Sequence, residues 1–290
     1  MSDNPYCRLV AGCQALLEQG RELAPPRRPF PPRPTPAPAA PRALIFAPHP
    51  DDETIVAALP LRLQRQTGFR IIDVAVTLGS RRERRCARLA ELRQACDYLG
   101  FELLLPCAGG FEDIHPAARE AQPDRWREAV EVLAGLIDHQ QPRMVFLPHI
   151  RDWHRTHIGT HLLVMEALAR QPADFRCLVV ETEFWAPLEA PNLLVESTAV
   201  EVAELMGALS LHTGEVARNP YHLRLPAWMM DNVRRGGELV GGQGAGVPEF
   251  TFATLYRLSR WWRGTLETML TRGHLLAWDD SLEEMICTDG

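Results

Sequence analysis

With 290 residues, 46% of them hydrophobic and 23% charged, the chain has room for one substantial α/β domain with extensions, and not for three domains. Its net charge of −6 speaks against nucleic-acid binding, which calls for a basic face. All 31 basic residues are arginine, so a phosphate-binding P-loop and Schiff-base or pyridoxal chemistry, both of which need a lysine, are excluded.

The seven cysteines are scattered and form no C-x-x-C pair, unlike a disulfide framework or a cysteine zinc cluster. Cys86 and Cys96 fall inside an amphipathic helical pattern and are expected to be small buried hydrophobes. The N-terminus lacks the basic start and apolar core of a signal peptide, and no apolar run reaches membrane-spanning length. A cytoplasmic protein with no membrane span is the expectation.

In chain order, residues 5–20 place Leu9, Val10, Cys13, Leu16 and Leu17 at helical spacing. Nine prolines then fall between Pro25 and Pro41, a density that blocks helix and sheet ladders and favours an extended spacer. The expected organisation is an N-terminal helix (1–24), a proline-rich linker (25–41) and one domain from 42 to 290 with a C-terminal extension. ALIFAP (43–48) reads as a strand buried on both faces, followed by a helix from Glu53 to Gln66. IIDVAVTL (71–78) is a second strand, and Ser80 to Glu83 has capping-box spacing ahead of a helix that stops at Gly100. Further strands are expected at 102–106, 143–148 and 177–184, with helices at 124–139 and 156–169 between them. Strands alternating with helices imply a Rossmann-like three-layer α/β sandwich on a mostly parallel sheet, with its active site at the carboxyl ends of the strands.

Two polar clusters stand at such strand ends. Pro48-His49-Pro50-Asp51-Asp52-Glu53 puts a histidine and two aspartates on one strand-to-helix turn. Catalytic zinc takes three His or carboxylate ligands and keeps a fourth place for water. Neighbouring aspartate side chains diverge, so one of Asp51 and Asp52 binds metal while the other addresses the water. The second cluster runs from His149 to His161 and holds four histidines in thirteen residues, with His154 and His157 three apart and His157 and His161 four apart. Both spacings put imidazoles on one side of a helical turn.

The chain resembles the PIG-L/LmbE-like de-N-acetylases, which share an H-P-D-D-E turn and a later H-x-x-H segment. The pattern can be followed from about 42 to 255. The resemblance implies zinc bound by His49, Asp52 and His157, with Fe(II) as another divalent option, Asp51 as general base and His154 as the group that stabilises the developing oxyanion. It brings Arg88, in an R-x-x-E helix, and His212, in an A-L-x-x-H stretch, near the substrate; their plain alternatives are a surface pair with Glu91 and a satisfied core histidine. Glu183 to Leu188 resembles the E-x-W-x-P-L segment of one branch. In the usual H-P-D-H an aspartate stands where this chain has Thr156, and the usual Ser-Gln after the late histidine is Gly214-Glu215.

The implied activity is zinc-dependent removal of an N-acetyl group from an N-acetylglucosamine-type amino sugar or glycan. The alternatives are an amidase for a sugar-thiol conjugate on the same site, or a non-catalytic glycan-binding protein on the same fold. A protonated His154 would stabilise the oxyanion, with Asp152 holding its other ring nitrogen. His161 is a competing ligand in an H-x-x-x-H arrangement, whereas His115 and His149 are assigned other work, and Asp113 is a candidate to line the pocket. Tyr256, Trp261 and Trp262 either stack on sugars or cover the sheet, with covering favoured. The glycine-rich stretch 236–246 reads as a mobile loop and a candidate cap for the pocket, without the strand-to-helix setting of a dinucleotide fingerprint.

Overall fold

Every buried strand divides its side chains between two cores by simple alternation, and that division is what builds three layers. A computed structural model describes residues 4–23, 33–34, 36–270 and 272–286. Residues 25–32 and 35 of the expected proline-rich linker, and Cys287, lie outside the described residues. An outlying helix, α1 (Cys7–Glu22), precedes β1 (Arg42–Ala47), α2 (Asp52–Ile55), α3 (Ala58–Thr67), β2 (Arg70–Ala75), α4 (Arg85–Leu99) and β3 (Glu102–Leu104). Then come α5 (Pro116–Ala121), α6 (Pro123–Gln140), β4 (Met144–Pro148), α7 (Arg155–Leu168), β5 (Arg176–Thr182) and β6 (Leu193–Ser197). The remainder is α8 (Ala199–Ser210), α9 (Thr213–Arg218), α10 (Leu225–Gly241), β7 (Phe252–Trp262), β8 (Thr265–Thr268), β9 (His274–Leu276) and α11 (Leu282–Ile286).

In β1, Ala43 and Ile45 join the core under α3, α4 and α8, while Leu44 and Phe46 join the core under α6 and α7. Met144 and Phe146 of β4 go with the first set, and Val145 and Leu147 with the second. The sheet order is β3-β2-β1-β4-β5-β7-β6-β9, with β8 paired to β7. The five strands from β3 to β5 are mutually parallel, and β7 runs antiparallel to both β5 and β6. This is the expected Rossmann-like sandwich. The chain leaves β1 toward β2 on one side and returns to β4 on the other, so the order reverses between β1 and β4. Ligands of such sheets sit at that reversal, and both polar clusters emerge there.

Four local expectations are corrected. The helix expected from Glu53 to Gln66 breaks at Val56 and Ala57 into α2 and α3. The buried Tyr256 hydroxyl fills the break, donating to Val56 O at 2.6 Å and accepting from Leu59 N at 3.1 Å. That contact also gives Tyr256 an internal role, as covering was favoured. The capping box at Ser80 does not form: Arg82–Arg84 is a 3-10 turn whose N-cap, Arg81, makes no side-chain bond. Arginines hold that segment instead, with Arg85 Nε donating to Gly79 O at 3.0 Å. The stretch 236–246 is not a loop throughout, because α10 runs to Gly241 with Gly236 and Gly237 buried. A Cβ on Gly236 would stand 2.7 Å from the Leu194 side chain, so the missing side chain lets α10 lie close on β6. Cys86, unlike Cys96, is exposed.

Among the described residues no helix is long and apolar enough to cross a membrane.

Candidate active site

The turn after β1 is braced by its own side chains and by Thr77, just past β2. Thr77 Oγ1 donates to Pro48 O at 2.7 Å, His49 N donates to Asp52 Oδ2 at 2.9 Å, and Asp51 N donates to Glu53 Oε2 at 2.7 Å. Asp51 takes φ 116°, a region that non-glycine residues occupy at a cost. Such strain persists where surrounding bonds over-determine it. Glu53 is fully buried, and its Oε1 meets His212 Nε2 at 2.8 Å.

The second arm follows β4. Asp152 Oδ1 accepts from His154 N at 2.7 Å and Oδ2 accepts from Trp185 N at 3.2 Å, which ties the loop after β4 to the loop after β5. His154 caps α7: its Nδ1 accepts from Thr156 N at 3.3 Å. One turn into α7, His157 is fully buried and turns Nε2 toward the first arm.

The two arms meet in a near-equilateral triangle. His49 Nδ1 lies 3.2 Å from Asp52 Oδ2, Asp52 Oδ2 lies 3.2 Å from His157 Nε2, and His157 Nε2 lies 3.3 Å from His49 Nδ1. A tetrahedral zinc with bonds of about 2.0–2.1 Å spaces its ligand atoms about 3.3 Å apart, so this donor set fits such an ion. His49, His154 and His157 also form a group able to hold a metal, with ligand atoms within 4.8 Å of one another. The tighter triangle favours Asp52 over His154 as the third ligand.

The charges of the triangle act strongly on one another. Burial opposes the ionisation of Asp52, but His157 and His49 outweigh it and hold its pKa well below the usual carboxylate range. Burial likewise opposes a proton on His157, yet Asp52 and Asp152 raise its pKa to about 9. Burial, then the charge of Asp52, raises Asp51 to about 7. Burial, with His49 and His157 nearby, lowers His154 to about 4.

Two expectations about this arm are thereby corrected. Asp152 Oδ2 faces His157 Nδ1, at a long 3.5 Å, rather than the ring of His154. A carboxylate behind a ligating imidazole fixes its tautomer and basicity. Burial disfavours the protonated His154 that was expected, and because Nδ1 accepts a backbone N–H the proton of the neutral ring sits on Nε2.

A cavity of about 650 Å³ opens over the triangle, lined on the first side by His49, Asp51 and Arg88 and on the second by His154 and Trp185. Arg88 does not pair with Glu91. Its Nη2 donates to Pro50 O at 3.0 Å and lies 3.8 Å from Asp51 Oδ1, while Glu91 accepts from Thr213 and Gly214. Gly79 (φ +86°) leaves room for this guanidinium, since a Cβ there would stand 2.3 Å from Arg88 Nη1. His212 has no exposed surface, does not line the cavity and contacts Glu53. The expected substrate contact is replaced by a place behind the Asp51 turn. Asp113 and His115 do line the cavity, and His115 caps α5. His161 Nδ1 contacts Pro148 O at 2.9 Å and His149 Nε2 contacts Ala186 O at 3.0 Å, both away from the triangle.

Sequence reasoning missed Tyr221, whose hydroxyl donates to Asp51 Oδ2 at 2.5 Å across 170 residues of chain. Nothing local to Asn-Pro-Tyr signals that contact. It also gave no role to Glu53, although the residue ends the H-P-D-D-E turn, or to Trp185, which stacks on His154 with ring centroids 6.2 Å apart and planes at 26°.

Residues 44–168 match the family described as PIG-L, GlcNAc-PI de-N-acetylase. No curated protein matches the whole sequence closely enough to count. Among solved structures, the N,N'-diacetylchitobiose deacetylase of Pyrococcus horikoshii is 18% identical, with 89% of this chain and 94% of that chain covered at a TM-score of 0.55. A deacetylase of the teicoplanin biosynthesis pathway is 17% identical, with 76% and 98% covered at 0.53. The 4-carboxy-2-hydroxymuconate hydratase of Pseudomonas putida is 17% identical, with 75% and 95% covered at 0.58. At these identities the structures establish a shared fold; the match over 44–168 bears out the resemblance read from the two motifs.

Proposed function

We propose that the PIG-L family domain of this chain is a metal-dependent N-deacetylase acting on an N-acetylglucosamine-type amino sugar. The observation that carries the proposal is the triangle of His49 Nδ1, Asp52 Oδ2 and His157 Nε2, with sides of 3.2–3.3 Å, beside a second carboxylate on the same turn. The fold alone does not choose the chemistry, since one similar structure is a hydratase and two are deacetylases. Support for deacetylation comes from the family of residues 44–168 together with that donor set.

In this mechanism His49, Asp52 and His157 would hold a divalent ion, and their spacing suits zinc. When bound, such an ion supplies positive charge beside an amide carbonyl and acidifies a water. Asp51 accepts a proton as the water oxygen bonds to the acetamide carbon. Tyr221 occupies Oδ2 of that carboxylate, which leaves Oδ1, the oxygen nearer Arg88, as the proton acceptor. His154 donates its Nε2–H to the carbonyl oxygen as negative charge develops there. The carbon–nitrogen bond then breaks as the proton held by Asp51 passes to the leaving nitrogen, and the acetic acid and free amine formed exchange a proton to give acetate and the ammonium form of the sugar. Arg88 and Tyr221 keep the base aimed, and Arg88 also faces the substrate space.

The test is zinc per chain by elemental analysis beside acetate release from a panel of N-acetylglucosamine compounds, in wild type and Asp51→Ala. About one zinc in both, with acetate only from wild type, is the expected result. Failure to take up zinc after reconstitution would overturn the proposal.

A further inference from the structure

The cavity is basic in an acidic protein. Eight arginines line it against five carboxylates, although the whole chain carries −6. The carboxylates are also unevenly shared. Glu112 answers Arg82, Arg85 and Arg125, and Glu215 answers Arg84, Arg88 and Arg218. Arg81, Arg155 and Arg224 form no ion pair among the described residues, and all three are exposed.

These three come from separate elements. Arg81 precedes the 3-10 turn after β2, Arg155 is the first residue of α7, and Arg224 immediately precedes α10. All three nevertheless line one cavity. The N-termini of the 14-residue α7 and the 17-residue α10 add partial positive charge at the same place. A single carboxylate on the substrate would leave most of this charge unanswered. Guanidinium forks match phosphate oxygens, and several forks from different directions suit a group with two or more negative charges. The volume of about 650 Å³ lies mid-range for small-molecule sites and leaves space beyond one sugar ring.

We infer that the substrate carries a phosphate or pyrophosphate next to its amino-sugar ring, and that Arg81, Arg155 and Arg224 bind it at the cavity mouth while the acetamide faces His154 and Asp51. The sugar part of this inference rests on the deacetylase proposal; the anion part rests on the arginines alone. A sugar 1-phosphate and a nucleoside-diphosphate sugar share the required chemistry.

The experiment is calorimetric binding of N-acetylglucosamine, N-acetylglucosamine 1-phosphate and uridine-diphosphate N-acetylglucosamine to the zinc-loaded full chain at low and high salt. Acetate release is measured in parallel. The variants are Arg155→Gln and the triple Arg81→Gln, Arg155→Gln, Arg224→Gln; because all three side chains are exposed, the melting temperature is expected to hold and is checked. The expected result is that at least one phosphorylated sugar binds about tenfold or more tightly than the neutral sugar, since charge-assisted bonds are the strong ones. That advantage should shrink with salt, fall in Arg155→Gln and collapse in the triple variant. Preference between the two phosphorylated arms then tells a monoester from a pyrophosphate. Equal affinity for neutral and phosphorylated sugars would overturn the inference, as would a phosphate advantage that survives the triple substitution. Acetate release from neutral sugars with no phosphate preference would leave the deacetylase standing and remove the inference. Arginine-dependent binding of a phosphorylated sugar without acetate from any arm would do the reverse.

Discussion

The two parts of the sheet contribute to the site in different ways. The parallel run β3-β2-β1-β4-β5 presents the groups proposed for chemistry, His49, Asp51, Asp52, His154 and His157, on the turns and first helical turns that follow adjacent strand ends. The helical chain between β6 and β7, two strands of the antiparallel extension, supplies none of the proposed metal ligands. It supplies the groups that hold the first set: His212 behind Glu53, Glu215 beside Arg88, and Tyr221 on Asp51. Reactive groups can sit on short motifs because two residues of one turn converge by local geometry. Their supports need contacts from elsewhere, because a turn cannot brace every side of itself.

Substitutions can sharpen that division. The largest effect is expected within the parallel part. His157→Ala should lose zinc and activity together, whereas Asp51→Asn should keep zinc and lose at least ~1000-fold in acetate release, more than the ~100-fold to 1000-fold typical of a lost oxyanion donor. Elemental analysis and a stopped acetate assay separate the two. Asp152→Asn should weaken zinc affinity by about 10-fold to 100-fold, the usual cost of removing the carboxylate behind a ligating histidine. Competition with a chelator reads that change, and unchanged affinity would remove Asp152 from the support of His157.

Effects from the other part should be smaller and of another kind. Tyr221→Phe removes one charge-assisted bond to Asp51, so kcat is expected to fall by about tenfold with zinc content unchanged. An unaltered kcat would mean that Asp51 is held well enough by Arg88 and the turn alone. Gly236→Ala forces a methyl against Leu194 and should lower unfolding stability by about 1–3 kcal/mol, as overpacking does. Urea unfolding measures it, and zinc content is expected to stay at the wild-type level. Loss of zinc in that variant would show that the two parts are more tightly coupled than their division of labour suggests.

Where the sequence was read correctly, the signal was local or topological. The apolar runs at 43–48 and 143–148 became β1 and β4 because burial on both faces leaves little other use for them. Gly100 ended its helix at φ 73° as expected. His49 and His157 are 108 residues apart, yet their meeting was legible, since loops at a strand-order reversal converge. Where the reading failed, a distant contact had overridden a local preference. The 53–66 pattern is helical throughout, but the break beneath Tyr256 splits it, about 200 residues away in sequence. Gly236 and Gly237 look like loop until Leu194 is seen to require the first and the backbone of Val247 to crowd the second.

The sequence by itself therefore determined the layered α/β architecture and the two motifs, because periodicity and spacing act over a few residues. Only the tertiary structure decided that Asp152 faces the ring of His157 rather than that of His154, that His154 Nδ1 is occupied by Thr156 N, and that His212 stands behind Glu53. It also decided that Tyr221 reaches Asp51 and that three arginines without acidic partners line one cavity. Each of these depends on which side chain arrives from another element, and at what angle. No spacing along one segment encodes that.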